Sequence, residues 1–209
     1  FYSVSDYDKE PDRRETLQEE FDAAQPYLRE VARLAETVHY IPGNHEQRLE
    51  RLFCKVPGLF NLRALKLHKV AEIPDKIKVH DPGDIITVGR VGFMHGDQTQ
   101  GKNPPDWVLA NMPGMSYVFG HWHKSRTSYT TTRDPEGGVR SFVAASQGWG
   151  GDPKKARYDK RWPNQPWQHG LTYIDYYAVA GKQRFSLHPI VIVNGCFSWG
   201  GKLFDGRKT

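Results

Sequence analysis

Three short segments carry the residue types that bind first-row metals: Gly43-Asn44-His45-Glu46, Met94-His95-Gly96-Asp97 and Gly120-His121-Trp122-His123-Lys124. Each follows a short apolar run that reads as a strand, which puts each at a strand end, where α/β folds keep their chemistry. Imidazoles and a carboxamide are neutral donors suited to borderline divalent metals. His121 and His123 are two residues apart. On a strand both would point to one face, and on a turn they could address two neighbouring ions. Glu46 and Asp97 are candidate carboxylates to orient the imidazoles from behind, and equally a helix-start charge and a turn residue. His39, His68, His80, His169 and His188 read as structural hydrogen-bonding residues.

The elements around these segments are legible from hydrophobic periodicity. Leu17, Phe21, Ala24, Leu28, Val31, Ala35 and Val38 recur at three- and four-residue steps, which predicts a helix over residues 14–38. Thr16 followed by Glu19 fits a capping box, and Pro26 predicts a kink or two consecutive helices. Val38 to Ile41 reads as a strand running into Pro42-Gly43, and 44–57 as a second helix. No pattern stands out over 58–75. From Ile77 the text changes to short β-like runs: 77–79, 85–88, 91–94, 117–119, 128–132, 141–144, 171–179 and 185–193. Asp134 to Gly138 is a hairpin turn. Helix first and strands later suggests sheets packed with helices outside.

At 209 residues the chain fits a single domain, 1–209, with a real core. No apolar run approaches the roughly 18–20 residues of a membrane span. Phe1 is not an initiator methionine, so the chain reads as beginning inside a longer protein. Cys54 and Cys196 cannot make a disulfide framework. They read as two buried thiols in a reducing compartment, which places the protein in the cytoplasm. A formal charge of +5 favours an anionic partner such as phosphate, nucleotide or nucleic acid. The stretch from Gly148 to Gln168 is rich in Gly, Pro, Trp, Lys and Arg. It is either a functional loop or a solvated excursion packed down by Trp162 and Trp167.

The three histidine segments, in order and type, resemble the last three motifs of the calcineurin-like metallophosphoesterases: Gly-Asn-His-Asp/Glu, a lone His after a strand, and Gly-His-x-His. The opening Phe1 to Ser5 and Asp8 to Pro11 resemble a phage and bacterial branch of that family. The resemblance implies a four-layer αββα sandwich of the α/β (α+β) class, lacking its first βαβ portion. It implies a hydrolase acting on phosphate mono- or diesters with a metal-bridging hydroxide and two divalent ions, manganese first, with zinc, iron or nickel as alternatives. Carried over, Asn44, His95 and His121 would ligate one ion and His123 the second. His45 would contact the phosphate and help protonate the leaving oxygen. The family's Asp-x-His and Gly-Asp-x-x-Asp motifs are not in this chain. Asp6 and Asp8 are the only early acidic residues that could stand in, and the bridging Asp is expected upstream of Phe1.

Two other readings compete. Gly96 to Asn103 nearly spells a phosphate-binding loop after a strand. It ends in Asn where Ser or Thr must reach magnesium, and Pro104-Pro105 remove two backbone donors. A non-catalytic metal- or nucleic-acid-binding protein with a residual single-metal site is the stronger rival, using basic loops and six tryptophans.

Overall fold

The computed structural model describes residues 3–4, 15–59, 62–133, 135–151 and 167–208. Asp6, Asp8, Trp162 and most of the basic loop lie outside the described residues. The chain divides into two compact units, Phe1–Asp84 and Ile85–Thr209.

In the first unit, α1 (Leu17–Leu34) starts at the expected capping box. The Glu19 amide donates to Thr16 Oγ1 at 3.3 Å, and the Thr16 amide donates to Glu19 Oε2 at 2.7 Å. The helix runs through Pro26 as one element and not as two consecutive helices. Pro26 lies on the exposed face, so water can take the carbonyl its ring deprives of a partner. The helix also stops earlier than its periodicity, because Ala35 turns extended (φ −109°) and Val38 opens a strand instead. That strand, β1 (Val38–Tyr40), pairs in parallel with β2 (Ile77–Val79). Between them lie α2 (Asn44–Cys54), two 3-10 turns and the short α3 (Leu67–Val70). Pro57 ends the second helix by opening a 3-10 turn. Phe21 and Ala32 of α1 bury against Leu49, Leu67, Ile73 and Ile77. Each large aliphatic side chain removed from water in this way contributes about 1.5–3 kcal/mol.

The second unit is built on a five-stranded mixed sheet, ordered β3 (Ile86–Val88), β4 (Val91–Met94), β5 (Ser116–Phe119), β7 (Val139–Ser146), β6 (Arg126–Arg133). The central pairs β4–β5 and β5–β7 are parallel, and both edges are antiparallel. Alternate residues of the central strands feed two cores. Met94, Tyr117, Phe119 and Ala144 pack with Val108 of α4 (Pro104–Asn111). Val91, Val118 and Ala145 pack with Ile174, Tyr176, Phe185 and Leu187 of the ribbon β8 (His169–Val179) and β9 (Lys182–Ile192). Ala180 and Gly181, both at positive φ, join that ribbon by a two-residue turn of the type that matches strand twist.

The fold is thus mixed α and β around a central mixed sheet, as the β-rich second half predicts. The proline pair that argues against a phosphate loop begins α4: in the first helical turn the missing N–H groups would have no partner in any case. β10 (Cys196–Trp199) and β11 (Lys202–Asp205) form a hairpin that periodicity does not reveal. The expectation of two buried thiols is corrected, since Cys54 is exposed and Cys196 half-buried. Cys54 is the last residue of α2, one turn beyond Leu49, which carries that helix's burial. Among the described residues, no helix is long and apolar enough to cross a membrane.

Candidate metal centre

β4 and β5 are neighbours in register, Met94 opposite Phe119, so the residues after them emerge side by side. The Gly120 amide donates to the His95 carbonyl at 3.0 Å and locks this junction. From it, His95 Nε2 and His121 Nδ1 come within 3.1 Å, with ring centroids 5.0 Å apart at 78°. An ion holding two neighbouring imidazoles at about 2.0–2.1 Å spaces their nitrogens roughly 2.9–3.4 Å apart. The observed pair fits that spacing. Burial, and then the nearness of His95, lower the proton affinity of His121, while Asp97 works in the opposite direction. The ring is therefore biased to the neutral form that a metal requires.

The Gly-His-x-His segment is a turn and not a strand. The Trp122 amide donates to the Gly120 carbonyl at 2.7 Å across His121, whose φ is +65°. This is a γ-turn of the rarer, strained hand. His123 is also left-handed, at φ +55°. Two non-glycine residues in this region persist only where their surroundings over-determine them. The holding contacts are visible. Trp122 Nε1 donates to the buried Thr99 hydroxyl at 2.5 Å, and Thr99 in turn donates to the Gly96 carbonyl at 2.6 Å. The Gln168 amide donates to the His123 carbonyl at 2.8 Å. Gly96 (φ +97°) must be glycine, since a Cβ there would stand 2.7 Å from the Phe119 ring.

Among the described residues, His123 does not complete a three-ligand cluster with the His95–His121 pair. Its ring stacks on Trp149 (5.5 Å, 27°) and meets the edge of Trp167 (4.7 Å, 88°). These two indoles are the residues that sequence reasoning undervalued. One of the two alternatives for this stretch has Trp167 packing down a solvated loop, whereas its ring meets a candidate ligand. The available signal was tryptophan density within a glycine-rich stretch. Asp97 is exposed on the turn after β4.

In the other unit, Asn44 and His45 occupy the first turn of α2. Glu46 caps that turn: its carboxylate accepts from the Gly43 amide at 2.7 Å and from the Tyr40 hydroxyl at 3.0 Å. Burial and the adjacent Glu46 charge raise the Tyr40 pKa well above its usual value, so the phenol stays a donor. Among the described residues, no three His, Cys, Asp or Glu side chains gather as a complete metal site.

No protein-family profile matches the chain, and no curated protein does. A crystal structure of a single-substitution variant of Vps29 from Entamoeba histolytica aligns over 88% of this chain and 95% of its own. Its identity is 15% and its TM-score 0.33, too weak a likeness to carry a conclusion.

Proposed function

We propose that the chain is the larger part of a metal-dependent phosphoesterase of the calcineurin-like type, an αββα sandwich hydrolysing a phosphate mono- or diester. The observation that supports this most is the 3.1 Å approach of His95 and His121 on a strained, braced turn. Those two imidazoles would hold one divalent ion, manganese, zinc, iron or nickel. Asn44 as a further ligand, His123 as a ligand of a second ion and His45 as proton donor enter on the family resemblance. When bound, such ions supply Lewis acidity towards phosphoryl oxygens and lower the pKa of water. The chain's own contributions are distinct from that. His95 and His121 offer lone pairs from half-buried rings, the γ-turn fixes their directions, and His45 would give a proton to the departing alkoxide. Net positive charge favours an anionic substrate, a nucleotide or nucleic acid among them.

A non-catalytic metal- or nucleic-acid-binding role is the second reading. It is favoured by the engagement of His123 with Trp149 and Trp167 and by the absence of a third gathered ligand among the described residues. Metal analysis after dialysis, combined with hydrolysis of bis-p-nitrophenyl phosphate, separates the two. Bound metal with turnover supports the enzyme, and bound metal without turnover in the complete protein supports the binding role.

A further inference from the structure

A second pair of imidazoles lies in the first unit, on residues read from sequence as structural. β1 and β2 are parallel with His39 opposite Lys78, so His39, Lys78 and His80 share one face. The His80 amide continues the ladder by donating to the Tyr40 carbonyl at 3.0 Å. His39 Nδ1 and His80 Nε2 meet at 2.8 Å, with ring centroids 5.0 Å apart.

The segment that follows is built to orient one of these rings. Asp81-Pro82-Gly83-Asp84 closes a turn in which the Asp84 amide donates to the Asp81 carbonyl at 3.1 Å. Gly83 has φ +89° behind a proline, the pattern of a type II turn. The Asp81 amide donates to Asp84 Oδ2 at 3.0 Å, which swings that carboxylate back to 3.8 Å from His80 Nδ1. A carboxylate on the far nitrogen of an imidazole fixes its tautomer and strengthens its outer nitrogen as a donor. At 3.8 Å Asp84 is within ion-pair reach of His80 Nδ1 but beyond hydrogen-bond distance, so its charge favours the tautomer with the proton on Nδ1, which leaves the lone pair on Nε2, facing His39.

We propose that His39 Nδ1 and His80 Nε2 form a divalent-cation site for zinc, nickel or copper, oriented by Asp84 and independent of the site at His95 and His121. The 2.8 Å separation corresponds to neighbouring ligands at close to a right angle for bonds of about 2.0–2.1 Å. Without metal, His39 Nδ1–H donates to His80 Nε2. Binding moves that proton to Nε2 of the exposed His39 ring, so both imidazoles stay neutral. Water fills the positions the protein does not. Asp81 and Asp84 add attraction for a cation, and Lys78 on the same face opposes it. Partial burial, and then the neighbouring His39 and Lys78, hold half-buried His80 below its usual pKa, against the smaller pull of Asp84 and Asp81.

Zinc(II) titrated calorimetrically into the full chain carrying His95→Ala and His121→Ala tests this. One ion per chain is expected, lost on adding His39→Ala or His80→Ala, and weakened about 10–100-fold by Asp84→Asn. Lys78→Met is expected to tighten it. Copper(II) resonance spectra of the same background are expected to show coupling to two imidazole nitrogens, which reads the site with both histidines intact should a variant fail to fold. Zinc absent from the background protein, or bound equally with and without His39 and His80, overturns the proposal. Failure here leaves metal binding at His95 and His121 untouched, because the titration is made without them.

Discussion

The two imidazole pairs, His95–His121 and His39–His80, reach nearly the same nitrogen spacing, 3.1 and 2.8 Å, by different means. The first is carried on turns beyond strand ends, with His121 at φ +65°, and needs the Trp122–Thr99–Gly96 chain to hold it. The second rests on regular parallel pairing, with a carboxylate of an acidic turn 3.8 Å from the far nitrogen of His80. Strain held by packing suits a site in which ligand direction must be fixed before anything binds. Pairing along a ladder leaves the rings nearer solvent and the geometry softer. On the two proposed readings, the first pair would serve chemistry and the second binding alone.

The sharpest break of this comparison is metal content in the complete protein. His121→Ala and His95→Ala are expected to lose the ion that survives dialysis, whereas His39→Ala retains it. His45→Ala should keep that metal while kcat for a phosphodiester falls about 10²–10⁴-fold. Equal metal loss in His45→Ala and His121→Ala would show the assigned roles to be wrong.

Next in size is a pair of glycine substitutions. Gly96→Ala must fit a Cβ 2.7 Å from the Phe119 ring, an overpacking cost of about 1–3 kcal/mol, on top of left-handed strain. Gly83→Ala, in the turn beside His80, meets nothing within 4 Å and incurs only the strain, roughly 1–2 kcal/mol. Denaturant midpoints that fail to separate the two would remove the claim that the first site is the more tightly braced. Trp122→Phe is expected to cost about 1 kcal/mol by removing the indole donor to buried Thr99. A larger loss of metal affinity than of stability would tie that bond to the γ-turn.

The smallest effect is on pH. His121 and His80 both have folded-state proton affinities below the usual value, so the unfolded chain takes up protons first. For the metal-free protein, stability is expected to be full above the ordinary imidazole pKa of about 6.5 and to fall as pH drops below it. Thermal melts between neutral and mildly acidic pH should show this slope, reduced by His121→Asn. A rise in stability on acidification would contradict the burial of that ring.

Local signals account for a good part of what was read in advance. Thr16 and Glu19 mark a helix start because a capping box is closed within four residues. The strands flanking the histidine segments declare themselves by short apolar runs. Pro26 left open a division into two helices that did not occur, because whether a proline breaks a helix depends on which face it occupies. The β10–β11 hairpin left no alternating pattern to read. The grip of Trp149 and Trp167 on His123 was invisible because it joins the turn after β5 to residues more than twenty positions further along the chain.

What the sequence determined by itself was the donor chemistry and its local setting: histidines after strands, a glycine in each segment, a carboxylate three residues past Gly43. These depend on neighbours in the chain, where propensity and capping act. Which imidazoles meet was decided only by tertiary structure. His95 finds His121 through the parallel pairing of β4 with β5, and His39 finds His80 through that of β1 with β2. Parallel neighbours are joined through long crossovers, so no spacing along the chain records which strand ends come to lie side by side.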